Sequence, residues 1–316
     1  TPLKEGKYRT TDLSKSEQGF YVTANGLKSD VFKVSIREPF AEDAYETITY
    51  PVVFHLIQDK TKVELGQGVG ADIVNYAFNT IYNCFARTAA FSPNGADTKI
   101  RFRLAEYDPN GRKMEEKGIN RYSLSTSDLN NLNPEKIKNN PKICWDYKRY
   151  LNIWIVENMG NSVSTPHYIL NTADLNQIQG VSFEQLSLEE IEKQEYSLTD
   201  IGLIYGARDF AIEDVGYPTQ MGKFFGLLDT ENQKEDYCED TFAYNTYKEP
   251  WNTALEGSNS RLKISTDGLI FYSVNIMDAS SYKNTISMDQ VKRIRTITDN
   301  CPHRWAWKSD WAFTGK

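Results

Sequence analysis

A few strong apolar patterns stand out along this chain, separated by long polar stretches. Pro51-Val52-Val53-Phe54-His55-Leu56-Ile57 is almost continuously apolar, and so is Tyr150-Leu151-Asn152-Ile153-Trp154-Ile155-Val156. Such runs predict strands buried on both faces. Ile100-Arg101-Phe102-Arg103-Leu104 alternates, as does Val31-Phe32-Lys33-Val34-Ser35-Ile36, which predicts strands with one polar face. Ile201 to Tyr205 predicts another. Ile73, Ala77, Phe78, Ile81 and Phe85 recur at helical spacing and predict a long amphipathic helix, entered through a loop at Gly66 to Gly70. Val291, Ile294 and Ile297 predict a last helix near 288–298, and residues 186–195 a short acidic surface helix. Asn25-Gly26 and Asp108-Pro109-Asn110-Gly111 read as turns, and the Asn-, Ser-, Asp- and Pro-rich residues 125–142 as loop. Beyond Thr230 the pattern is irregular until Leu269-Ile270-Phe271.

This order predicts an α/β (α+β) fold: a twisted mixed sheet with a backing helix, followed by a less regular C-terminal part. The expected organisation is an extension over residues 1–48 with one strand-like piece, then a body over 49–316. The body divides into an N-terminal subdomain, 49–230, and a C-terminal subdomain, 231–316.

Composition narrows the function classes. A chain of 316 residues buries roughly 75% of its unfolded surface and needs no staples. The net charge is −7 and there is no long basic block, which excludes nucleic acid as the expected partner. No apolar run approaches the ~18 residues of a membrane span. The first sixteen residues are polar, so any signal peptide or lipid anchor is expected to precede Thr1. The four cysteines, Cys84, Cys144, Cys238 and Cys301, form no C-x-x-C pair. Zero, one or two disulfides are open, and an exported protein favours at least one.

Candidate chemistry centres on Thr219-Gln220-Met221-Gly222-Lys223-Phe224-Phe225-Gly226-Leu227-Leu228-Asp229-Thr230. The zinc-protease template H-E-x-x-H-x-x-G-x-x-H places its three histidines on Thr219, Lys223 and Asp229 and its glutamate on Gln220. Gly226 alone matches. A catalytic zinc needs three protein ligands and an open position. A lysine ammonium offers no lone pair, and a glutamine cannot take a proton from water. The only histidines are His55, His167 and His303, and no two share a motif spacing. His55, in an apolar strand, reads as structural. No catalytic zinc is expected. Asp236, Glu239 and Asp240 offer oxygen ligands for a structural calcium, against the commoner reading of a loop with surface acids.

Taken with their order and spacing, four segments resemble the pappalysin-type metzincins, among them the zinc-dependent metalloprotease lipoproteins of Bacteroidetes. The first two are the strands at 50–57 and 150–156. The third is 219–230 with Asp236-Tyr237-Cys238-Glu239-Asp240-Thr241, where the family continues with a Pro and this chain has Phe242. The fourth is Asn275-Ile276-Met277-Asp278-Ala279-Ser280, similar to the family's Met-turn, followed by Gln290 and Arg293. The resemblance implies a cleft floored by the helix at 219, with Met277 and Asp278 beneath the metal position. It also implies two losses, the ligand set and a Tyr after the Met-turn, whose place is taken by Ala279. The family's Cys after the turn is absent too, which leaves Cys238 to pair elsewhere, with Cys301 as one option, or to stay free. Pro218 starts the helix late, because proline suits a first turn and not a helix interior.

Two readings of Lys223 and Asp229 stay open: an ion pair in the metal's place, or separate solvated charges. The functional expectation is an inactive metalloprotease relative, exported to the periplasm or cell surface as a lipoprotein, holding a peptide or other ligand in the old cleft. Two alternatives remain: an active secreted metallopeptidase or hydrolase with an unrecognised site, and a carbohydrate-adhesion or structural surface protein. The last would use aromatics such as Trp305, Trp307 and Trp311, which more often serve packing.

Overall fold

The computed structural model describes residues 14, 17–36, 41–88, 95–159, 168–170, 178–181, 183–211, 216–231, 235–244, 262–266, 268–279 and 283–316. The chain divides into two compact units, Thr1–Ala44 and Tyr45–Lys316. In the first, Glu17–Phe20 pairs antiparallel with Phe32–Ser35, and Thr23–Ala24 with Leu27–Lys28. Asn25 and Gly26 turn the inner ribbon with φ of 51° and 80°. Two successive left-handed residues match the twist of a tight hairpin.

The second unit is built on strand β1, Ile48–Asp59, which is buried along nearly its whole length. Helix α1, Ala71–Phe85, leads to β2, Ile100–Leu104, and then β3, Ile119–Leu124. β2 pairs with the first half of β1 and β3 with the second. On the other side of β1 lies β4, Leu151–Val156, and beyond it β5, Gly202–Gly206. Every pairing described in this sheet is parallel, whereas the sequence predicts a mixed sheet. A parallel sheet needs both faces covered, and that is why β1 and β4 read as continuous apolar runs.

The front face of β1 carries Tyr50 and Phe54. Tyr50 meets Phe102 and Phe225, and Phe85 of α1 packs edge-on against Phe102. The back face carries Val53, His55 and Ile57. Ile57 packs with Leu129, Ile137, Ile143 and Trp154, and Val53 with Trp145, Tyr150 and Ala312.

Residues 125–142, expected as loop, supply much of that back cover. They form short helices over Thr126–Asn130 and Pro134–Lys138, which bury Leu129 and Ile137. Their polar residues are the helix caps: Ser125 accepts from Asp128 N and Asn133 from Lys136 N. A cap needs the residue types that also mark loops. The acidic helix expected at 186–195 is Leu188–Lys193, closed by a Ser187–Glu190 capping box.

His55 is buried and fully satisfied. Its ring nitrogens bond Asn152 Oδ1 at 2.8 Å and Asn120 Nδ2 at 2.9 Å, between the rings of Trp145 and Trp154. Since Asn120 donates to Nδ1, Nε2 carries the proton. Burial holds its pKa down at about 4. The structural role expected for it stands.

None of the four cysteines is disulfide-bonded, which corrects the expectation of a disulfide. They lie in different parts of the packing: Cys84 on α1, Cys144 behind the sheet, Cys238 in the loop at 236–241, and Cys301 against Tyr168, Ile178 and Ile297. The Cys238–Cys301 option is thereby closed. Burial raises the thiols of Cys84 to about 12 and Cys144 to about 11.

Candidate functional site

Helix α2, Tyr217–Phe224, follows β5 and carries the degenerate template. It starts at Gly216, whose φ of 63° turns the chain into the helix, and Pro218 sits in its first turn. The helix ends in a Schellman motif. Leu227 N bonds Gly222 O at 2.9 Å and Gly226 N bonds Lys223 O at 3.0 Å. Gly226 has φ of 91°, and a Cβ there would lie 2.7 Å from Ile297 Cγ1. This left-handed step sends the chain back along the helix it has just left.

The reversal brings Lys223 and Asp229 together. Nζ of Lys223 lies 2.9 Å from Oδ2 of Asp229, and the two side chains are only 19% and 26% exposed. Of the two open readings, the ion pair is the one observed. Thr219, one turn before Lys223, is buried. Its hydroxyl donates to Ile276 O at 2.6 Å and accepts from Lys283 Nζ at 3.0 Å. Gln220 is half-buried beside it.

Residues 275–279 form a tight turn beneath the helix. Asn275 Oδ1 accepts from Met277 N at 2.9 Å, and Asp278 N bonds Asn275 O. Met277 lies directly under Gly222, where a Cβ would come within 3.0 Å of its sulfur. Asp278 is buried and accepts from Ser273 Oγ at 2.6 Å and from the Thr230 hydroxyl. Burial raises its carboxyl above the usual range, against those hydrogen bonds and Lys263. Ala279 N donates to the buried hydroxyl of Tyr244.

Gln290 and Arg293 of helix α3, Met288–Asn300, tie this floor in place. Asn275 and Gln290 exchange two amide hydrogen bonds, of 2.8 and 3.0 Å. Arg293 Nε donates to Gly226 O. Burial lowers the pKa of Arg293, against the nearby Cys238, Tyr168 and Asp236.

The loop at 236–241 is likewise committed to protein donors. Asp236 accepts from Thr241 Oγ1 at 2.7 Å and from Cys238 N, and Asp240 from Ser287 Oγ at 2.6 Å and Asp289 N at 3.0 Å. Asp240 thus caps α3, and the calcium reading of these acids is corrected to a structural one. Trp305 and Trp311 are half-buried under Lys308 and Arg149 and do not form an open platform. His167 lies outside the described residues.

Sequence reasoning did not single out Tyr244, Ser273 or Lys283. Each reaches the site from a loop with no periodic pattern, and no local signal marks them.

Parallel sheet, backing helix, short second helix and the methionine turn under it define a metzincin-like fold. No protein-family model matches the chain, and no curated protein does. Among solved structures the chain is similar to mirolysin, a metalloprotease of Tannerella forsythia. A promirolysin mutant superposes with a TM-score of 0.52 at 20% identity, covering 84% of this chain and 85% of that one. Mature mirolysin in complex with a cleaved peptide gives 0.52 at 18% identity over 85% and 97%. Mirolysin in complex with compound 9 gives 0.53 at 18% over 85% and 99%.

These neighbours stand against the expectation that this chain holds no cofactor. The neighbours are metalloproteases, and zinc binding is implied for them. The residues at the template positions of this chain do not fit that ion. They are a hydroxyl bonded to a carbonyl, an ammonium, and a carboxylate already paired with it. Among the described residues no group of three or more His, Cys, Asp or Glu is placed to hold a metal.

Proposed function

We propose that this chain is a metalloprotease-like scaffold that binds an extended peptide without cleaving it. The Lys223–Asp229 ion pair, 2.9 Å across, is the observation that supports this reading most directly. It lies at the template positions for the second and third ligands, and its charges are engaged with each other. Gln220 stands at the position of the general base, and its neutral amide has no capacity to take a proton from water. Loss of base and of ligands at once leaves hydrolysis without a proton acceptor or an activated water.

Binding does not need either group. β5 is the outermost described strand of the main sheet, and α2 follows it in the chain after the short helix Ala207–Phe210. An extended peptide recognises such an edge through backbone hydrogen bonds, with side-chain pockets adding selectivity. The pappalysin-type resemblance, carried by Asn275–Ala279 and 236–241, supports the same reading, and the hydrogen bonds within these segments hold them in place beside α2.

A library of unstructured decapeptides, incubated with the protein and zinc and followed by mass spectrometry, tests the reading. Peptides are expected to be retained intact, with amide resonances of residues 223–229 shifting on binding. Cleavage in the presence of zinc sinks the proposal, and so does failure to retain any peptide.

A further inference from the structure

A crevice of about 650 Å³ opens at the carboxyl ends of β1, β4 and β5. Its position follows from the topology. From β1 the chain moves through α1 to β2 and β3 on one side, while β4 and β5 lie on the other. The strand order therefore reverses between β1 and β4, and the loops leaving their carboxyl ends part there. In open parallel sheets such a point is where ligands bind.

A second feature is independent of topology. Gln58, at the end of β1, is only 4% exposed and lines the crevice. Its amide has no hydrogen-bond partner among the described residues. Its polar atoms are not among the fully buried unpartnered ones, so they are open to the crevice and free to exchange hydrogen bonds with a ligand there. The adjoining Gly68 leaves it room: a Cβ there would lie 3.1 Å from Gln58 Oε1.

Charge narrows the ligand. Lys62 and Glu157 also line the crevice but are bound to each other. Arg208 and Asp209 line it as well, and neither side chain has a partner among the described residues. The open charges are thus one cation and one anion, which complement a zwitterion. A phosphate is disfavoured on the same grounds. The nearby start of α1 is already met by Asp72, whose Oδ1 lies against Gly70.

We propose that this crevice is a site for a short zwitterionic peptide, separate from the cleft at α2. The terminal carboxylate pairs with Arg208, the terminal ammonium with Asp209, and a peptide group with the Gln58 amide. The volume suits a short peptide better than a single amino acid, since ligand sites of about 300–1,000 Å³ hold molecules of that size or larger.

Calorimetric titration of the full chain with Ala-Leu-Ala, its C-terminal amide, its N-acetyl form and inorganic phosphate tests the site. The free tripeptide is expected to bind, the amide and the acetylated form at least about tenfold more weakly. Arg208→Ala, an exposed position, is expected to lose about tenfold for the free tripeptide and nothing for the amide. Gln58→Met weakens all peptides, and the Gln58 side-chain amide resonance shifts when the tripeptide is added. Equal binding of acid and amide overturns the proposal. So does an unaffected Arg208→Ala variant, an unmoved Gln58 resonance, or competition by phosphate.

Discussion

Lys223 and Asp229 are separated by six positions, yet the turn at Gly226 makes them neighbours at 2.9 Å. Both side chains are largely removed from water, so the pair is screened less than a surface pair, though each charge gives up hydration to form it. A double-mutant cycle with Lys223→Met and Asp229→Asn, followed by urea unfolding, is expected to return a coupling of about 1 kcal/mol. A coupling near zero means that the contact adds nothing and the two charges behave as solvated groups. The same positions carry a second prediction. Thr219 and Lys223 share one face of α2 at the i, i+4 spacing that suits two histidine ligands. Replacing Thr219, Lys223 and Asp229 by His and Gln220 by Glu is expected to raise zinc affinity at least about tenfold over the natural chain. A folded quadruple variant with no gain in affinity argues against the template alignment.

At the scale of elements, the end of α2 depends on a backbone that only glycine adopts cheaply. Gly226→Ala introduces strain at φ of 91° and a contact of 2.7 Å with Ile297 on α3. The expected loss is about 2 kcal/mol or more, read as a lower thermal midpoint with α2 and α3 both perturbed. A midpoint within about 1 °C of the natural chain shows that α3 moves aside without cost. The elements themselves were unequally legible in the sequence. β1, β4, α1 and α3 announced themselves because each carries a clean apolar period. β3, Ile119–Leu124, escaped because its strand of Asn, Arg and Ser residues has only one buried position, Ile119. The helices at 126–130 and 134–138 escaped because their capping Ser, Asn and Pro are also loop residues. Of the site, the α2 positions and Met277 could be placed from motif spacing alone. Tyr244 and Lys283 could not, since they reach Ala279 and Thr219 across 35 and 64 positions of irregular chain.

For the molecule as a whole, two buried histidines link stability to pH. His55 and His303 both have pKa values lowered to about 4, chiefly by burial, with Arg304 adding to the effect at His303. The unfolded chain takes up these protons near the ordinary value of 6.5 and the folded chain only near 4. Stability from both rings is therefore complete above pH 6.5 and is lost as the pH falls toward 4. Each ring contributes on the order of 3 kcal/mol to that loss. Asp236 and Asp278, raised by burial, oppose it. The two histidines separate by environment. His55 has both nitrogens bonded, whereas neither nitrogen of His303, between the rings of Tyr147 and Tyr196, has a partner among the described residues. His303→Phe keeps an aromatic ring in an aromatic pocket and removes two unsatisfied polar atoms. It is expected to gain about 1 kcal/mol at neutral pH and to remove about half of the fall in stability between pH 6.5 and 4. Denaturant midpoints measured across that range decide the matter. An unchanged pH slope in the variant means that His303 is protonated in the folded protein and that His55 carries the acid sensitivity alone.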